Sequence, residues 1–387
     1  MEYWHYTGDA TYVNVTSQAL ISQLGPAYDF NNPVEAFNEG NDDQAFWAFA
    51  AMSAAEYAFP EPAPPIPSWL TIVQNAWQDY VDRWDYSACN GGLKWQFHPA
   101  NAGFDYKNSI SNGAFFQLSA RLARFTGNQT YLDWATKIWD WTAGVGLIDN
   151  LYNVFDGTDQ TINCSQVDHH QWSYNVGVFL YGAAVLQNFT NASSIWVTRT
   201  AGLLDATATF ISPFRNATDI LFEAECELAL SCNVDQLSMK AYMARWLAGT
   251  SLMAPFTAGR IGTLLRTSAN GAAAACAGGP QGHSCGSKWY INASDGTSGL
   301  GQQLCAMEVM YALLVNQTLP PTTWANVHIS PAPSHFTTAS TMTAYLTQAS
   351  ASATARPLYD SQNAADQLTS TFWTVVGSIL AVLATIE

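Results

Sequence analysis

Two adjacent carboxylates, Asp42 and Asp43, stand in the run Gly40-Asn41-Asp42-Asp43-Gln44, directly ahead of the apolar stretch Ala45-Phe46-Trp47-Ala48-Phe49-Ala50-Ala51-Met52. Only 11% of the chain is charged, so two like charges side by side at a helix entrance need a cause. One cause is chemistry: paired carboxyl groups cleave glycosidic bonds, one donating a proton while the other attacks or supports the sugar carbon. The other is capping, because Asn and Asp accept the unpaired N–H groups of a first turn and the helix dipole favours negative charge there. Local sequence leaves both open.

Further candidates are scattered along the chain. Trp95 and Trp172 have the flat apolar faces that stack on sugar rings, although a Trp in a helical protein also serves as core. Asp156-Gly157 reads equally as a ligand or a turn. Asn108 and Asn112 face one another at helical spacing, which suits a cleft lining or a cap. Asp168-His169-His170 is a poor metal site, since neighbouring histidines diverge and no third ligand has suitable spacing, so no metal or cofactor is expected. Glu225 and Glu227, beside Cys226, read as surface charge.

The elements that must position these residues are helical. Apolar residues recur at helical spacing, as in Leu118, Leu122, Phe125 and then Leu132, Ala135, Ile138, Trp139, whereas strand-like alternation is scarce. Tyr6-Thr-Gly-Asp-Ala-Thr-Tyr12 recurs as Phe125-Thr-Gly-Asn-Gln-Thr-Tyr131 and more loosely as Phe189-Thr-Asn-Ala-Ser-Ser-Ile195. Each reads as a corner between helices with Gly or Asn in the left-handed cap, and Leu247-Ala-Gly-Thr250 as a degenerate copy. The Pro-rich segment from Tyr57 to Trp69 takes the place of a missing one. Corners about every 60 residues leave room for two helices each, which predicts a toroid of helical hairpins with its helix-end loops on one open face. Asp42, Gly91-Gly92-Leu93-Lys94-Trp95 and Trp172-Ser173-Tyr174-Asn175 fall at such junctions.

Composition narrows the partners. The 387 residues are 48% hydrophobic, enough for a large core, and carry a formal charge of -16 with no Lys/Arg cluster, which excludes nucleic acid. Seven cysteines and eight Asn-x-Ser/Thr sequons, at Asn14, Asn128, Asn163, Asn188, Asn191, Asn216, Asn292 and Asn316, indicate the secretory pathway. The short spacings pair Cys226 with Cys232 and Cys276 with Cys285; Cys89 pairs with Cys164 by elimination, leaving Cys305 as a buried thiol. From 321 to 362 the chain is a Ser/Thr/Ala/Pro-rich stalk with too few large apolar residues for a core. From 363 to 387, small residues at Asn363-Ala364-Ala365, a short polar spacer and the apolar tail Phe372–Ile386 form the pattern of a GPI attachment signal, with Asn363 or Ser361 as the attachment residue. The tail is shorter than the roughly 20 residues a membrane-spanning helix needs. Such a signal requires entry into the secretory pathway, yet Met1–Asp9 has no signal-peptide pattern, so the reading predicts an N-terminally incomplete sequence that starts inside its first helical hairpin.

Taken in order, Gly-Asn-Asp-Asp-Gln at 40–44, Gly-Gly-Leu-Lys-Trp at 91–95, Lys107 to Gly113, Phe155-Asp156-Gly157, Trp172 to Asn175, and Asp235 to Lys240 with Arg245 resemble glycoside hydrolase family 76, the endo-α-1,6-mannanases, over residues 1 to 320. The fungal, GPI-anchored cell-wall branch is the most similar. The resemblance implies an all-α (α/α)6 barrel, its first hairpin truncated here, and retaining cleavage of α-1,6-mannosidic bonds. Asp42 corresponds to the nucleophile and Asp43 to the acid/base, whose carboxyl groups must lie about 5–5.5 Å apart for retention. Trp95, Lys107, Asn108, Asn112, Asp156, Trp172, Asn175 and an Asp235–Lys240 charged pair are implied to line the substrate cleft. The role implied is hydrolysis or transglycosylation in cell-wall biogenesis, with α-1,6-mannan, GPI glycans and wall glucan as substrates or acceptors, at the outer face of the plasma membrane and in the wall. A mannan-binding or structural wall protein without turnover is the competing reading.

Overall fold

The structure is a computed structural model that describes residues 1–34, 37 and 39–327. The part of the expected stalk beyond 327 and the expected attachment signal with Asn363 lie outside the described residues. Residues Met1–Thr323 form one compact unit. A second unit starts at Trp324, and its described part is a helical turn at Trp324–Val327.

Among the described residues, eleven α-helices build the first unit: α1 (Glu2–Thr7), α2 (Val13–Ser22), α3 (Asn41–Glu56), α4 (Trp69–Arg83), α5 (Ser109–Thr126), α6 (Gln129–Gly144), α7 (Ser173–Phe189), α8 (Ser194–Ala206), α9 (Met239–Met253), α10 (Ala258–Ala275) and α11 (Leu300–Tyr311). Helices α3, α5, α7, α9 and α11 pack side by side in that order, and each is followed or backed by an outer partner. The two most enclosed, α5 and α7, are buried along nearly their whole length. Helix α1 closes the ring: Arg245 of α9 pairs with Glu2 at 2.8 Å and with Glu308 of α11 at 2.5 Å, while His5 stacks on Tyr57 at the end of α3. With six residues, α1 is the shortest member. The architecture is an (α/α)6 barrel.

The corners follow from local chemistry. Gly8 and Gly127 end α1 and α5 in the left-handed conformation, φ 73° and 74°, and Asn191 takes φ 52° in the corner after α7. Asn128 then caps α6 by accepting the Thr130 N–H. Leu247-Ala-Gly-Thr250 is not a corner. It lies inside α9, and the turn falls at Ala254-Pro255. Gly249 is there for packing, since a Cβ would stand 2.6 Å from the Tyr181 ring of α7.

A three-stranded antiparallel sheet lies at the entrances of α5 and α7: β1 (Tyr106–Asn108), β2 (Gly157–Asp159) and β3 (Val167–Asp168). Strands this short leave no alternation to read in the sequence. Disulfides join Cys89 to Cys164, Cys226 to Cys232 and Cys276 to Cys285, and Cys305 is a buried free thiol. All eight sequon asparagines are exposed. Among the described residues, no group of His, Cys, Asp and Glu could hold a metal ion, and no helix is long and apolar enough to cross a membrane.

Candidate active site

Each residue of Gly40-Asn41-Asp42-Asp43-Gln44 has a separate task. Gly40 is the N-cap of α3 and runs against the 94–96 segment so closely that a Cβ would lie 2.5 Å from the Trp95 carbonyl oxygen. Asn41 is buried and ties the helix to that segment twice, its N–H to Trp95 O at 2.8 Å and its side-chain amide to Lys94 O at 2.7 Å. Gln44, fully buried, donates to Asp79 at 2.8 Å and accepts from Arg83, which also donates to Asn41 at 2.9 Å. These anchors fix the first turn of α3, so the two residues between them have little freedom.

Asp43 Oδ2 accepts the Gly40 N–H at 2.8 Å, the reciprocal bond of a capping box. Asp42 Oδ2 instead accepts the indole N–H of Trp95 at 2.9 Å. Asp42 Oδ1 also accepts a first-turn N–H, that of Asp43 at 3.2 Å, so both carboxylates bond the first turn and Asp42 is in addition tied to Trp95. Asp42 is half-buried and Asp43 exposed, as expected at the bottom and lip of a cleft. Desolvation and then the charge of Asp43 raise the Asp42 carboxyl to about 7, against the opposing Trp95 bond. Asp43 is also raised, by desolvation and by the charge of Asp235, while its bond from Gly40 opposes the shift.

Trp95, bonded to Asp42, also donates its backbone N–H to the Tyr106 carbonyl at 2.7 Å, which connects the pair to the α7 entrance. Asn175 Nδ2 donates to Asp156 Oδ1 at 3.2 Å and the Tyr106 hydroxyl to Asp156 Oδ2 at 3.0 Å, so β1, β2 and α7 meet at one carboxylate. Burial raises the Asp156 pKa. Tyr174 is raised well above the usual phenol range by burial and then by the charges of Asp156, Asp42 and Glu223. Tyr174 was not singled out in the sequence, although it lies in the Trp172–Asn175 motif. Trp172 is half-buried, with His170 nearly parallel to it at 6.4 Å.

Four residues expected along the cleft are elsewhere. Lys107 is fully buried; its ammonium donates to the carbonyls of Asp85, Ala88 and Gly91 at 3.2, 3.0 and 2.7 Å and pairs with the Asp85 carboxylate at 3.2 Å. It is a clasp for the 85–92 loop. Asn108 caps α5 through the Ser111 N–H, and buried Asn112 pins Leu93 by accepting its N–H at 2.8 Å and donating to its carbonyl at 3.0 Å. Lys240 is buried and pairs with Glu227 rather than Asp235, so the expected Asp235–Lys240 pair does not form and Glu227 is not surface charge. Asp235 is exposed and acts on Asp43 at a distance. Trp95 is half-buried; its ring packs against Gly103 and its indole N–H orients Asp42. A small cavity of about 40 Å³ inside the ring is bounded by Phe46, Tyr57, Tyr181, Tyr242 and Trp246.

The sequence profile of glycosyl hydrolase family 76 matches residues 1–326. The chain belongs to family 76. Within that family it is 46% identical to the mannan endo-1,6-alpha-mannosidase DCW1 of Saccharomyces cerevisiae, covering 80% of this chain and 68% of the relative. A crystal structure of Dfg5 from Chaetomium thermophilum in complex with glucosamine superposes with a TM-score of 0.80 at 40% identity, covering 84% of this chain and 80% of that one. An inactive variant of the family 76 α-1,6-mannanase of Salegentibacter, with two consecutive aspartates changed to asparagine and α-1,6-mannotriose bound, has the same fold, with a TM-score of 0.63 at 17% identity over 81% of this chain and 86% of that one. This family 76 chain is a glycosidase.

Proposed function

We propose that this protein cleaves or transfers α-1,6-linked mannose units with retention, using Asp42 as nucleophile and Asp43 as acid/base. The observation that carries the reading is the Asp42–Asp43 pair itself, fixed at the α3 entrance and raised in pKa, with Asp42 half-buried and aimed by Trp95. A retaining glycosidase needs one proton on its carboxyl pair and one negative charge. Two adjacent raised carboxylates provide that state near neutral pH. Asp42, to which the resemblance gives the nucleophile's role, is raised to about 7, but neighbouring carboxylates titrate as a pair and the proton belongs to the pair. Positive charge developing at the anomeric carbon favours the ionised form of whichever carboxylate faces it.

Several relatives point to the substrate. The Saccharomyces cerevisiae protein is named a mannan endo-1,6-alpha-mannosidase, and the Salegentibacter enzyme binds α-1,6-mannotriose in a variant altered at paired aspartates. GPI glycans and wall glucan as donor and acceptor and a part in wall biogenesis belong to the same reading as what the family resemblance implies, and a lipid-anchored position at the outer membrane face rests on the sequons, the disulfides and the C-terminal pattern. The full chain incubated with α-1,6-mannohexaose tests it by NMR of the first product. An α-configured reducing end supports retention; a β-configured one, or binding without turnover, overturns it.

A further inference from the structure

Glu223 lies in the segment between α8 and α9 and is 1% exposed. Its carboxyl oxygens take both donors of Ser173, the backbone N–H at 2.8 Å and the hydroxyl at 2.5 Å. Ser173 is the first residue of α7, between Trp172 and Tyr174, so Glu223 holds the wall of the cleft that carries Trp172, Tyr174 and Asn175. The same segment grips α9. Glu227 Oε1 accepts the Glu223 N–H at 3.1 Å and pairs with Lys240, the second residue of α9. The Lys240 ammonium also donates to Ser287 O at 2.5 Å and lies 4.2 Å from the Trp289 ring centre. Asp235, whose charge acts on Asp43, stands just ahead of α9. Cys226–Cys232 closes the segment on itself between these attachments.

Buried ionic groups add little stability over apolar packing, because desolvation offsets their attraction. Here three of them, in a chain that is 11% charged, connect the entrances of two helices that frame the cleft. We propose that Glu223 is a positioning residue and that Glu223–Cys232 is a clamp fixing the start of α7 against the start of α9, which sets how tightly the cleft holds an oligosaccharide. The sugar class rests on the family 76 reading above; the clamp does not. Without Glu223, the first turn of α7 loses the acceptor for its unpaired N–H and frays, displacing Trp172, Tyr174 and Asn175 while the Asp pair on α3 stays in place.

Glu223→Met and Glu223→Ala, each in the full chain and each removing the acceptor, test this by amide hydrogen exchange over residues 172–176 and by kinetics and binding with α-1,6-mannotriose. Exchange is expected to speed up in both variants, with affinity about 10-fold weaker and kcat within about threefold of wild type, the pattern of lost binding rather than lost chemistry. Unchanged exchange in both variants overturns the clamp, and so does faster exchange with unchanged mannotriose affinity. A wild-type protein that does not bind mannotriose refutes the substrate reading alone, and the exchange result still decides the clamp.

Discussion

The indole N–H of Trp95 donates to Asp42 Oδ2 at 2.9 Å, across 53 residues of chain. A hydrogen bond to the ionised carboxylate favours that form, so Trp95 lowers an Asp42 pKa that burial and Asp43 raise. In Trp95→Phe the Asp42 pKa rises further, moving the acid limb of the kcat/KM profile to higher pH. The pH-independent rate falls by about 10-fold, the worth of a hydrogen bond to a charged group. A pH–rate profile of the variant against wild type measures both.

Asp42 also makes stability depend on pH. Its folded pKa of about 7 lies above the ordinary 3.8, so its contribution is fully present at low pH and is lost as pH rises through about 7. Asp42→Asn removes that loss. The variant is therefore expected to melt like wild type at pH 4 and to be more stable at pH 8, by about 1 kcal/mol after allowing for partial exposure. Thermal denaturation at the two pH values decides it.

Lys107 separates a clasp from a cleft residue. Lys107→Met leaves three carbonyls and the Asp85 carboxylate without their cation, and is expected to cost about 3–5 kcal/mol of stability. A cleft residue would instead reduce turnover and leave the melting temperature unchanged. Denaturant unfolding compared with initial rates distinguishes them.

Gly40→Ala places a methyl 2.5 Å from the Trp95 carbonyl and forces apart the segment that aims Asp42. A stability loss of about 1–3 kcal/mol follows from overpacking, together with a drop in kcat. Unfolding and kinetics of the same preparation check it.

The corners at Gly8 and Gly127 were legible because a left-handed residue has a strong local signature. Gly249 misled for the complementary reason: a glycine kept for close packing against Tyr181 looks the same in sequence as one kept for a turn. The Asp pair was visible as a pair, whereas its anchors Asn41 and Gln44 act through Trp95, Asp79 and Arg83, distant in sequence. Lys107, Asn108, Asn112 and Lys240 fell inside the right motifs with the wrong roles, because residue type does not tell a buried clasp from a ligand. Glu223 gave no signal, since its partner Ser173 lies 50 residues away.

The catalytic assignment is tested most directly by chemical rescue of Asp42→Ala and Asp43→Ala with azide on an activated α-mannoside. Azide replaces a missing nucleophile from the opposite face and intercepts the glycosyl-enzyme when the acid/base is missing. The expected products are β-mannosyl azide from Asp42→Ala and α-mannosyl azide from Asp43→Ala. The reverse pattern exchanges the two roles, and activity near wild type in both variants without azide contradicts catalysis by this pair.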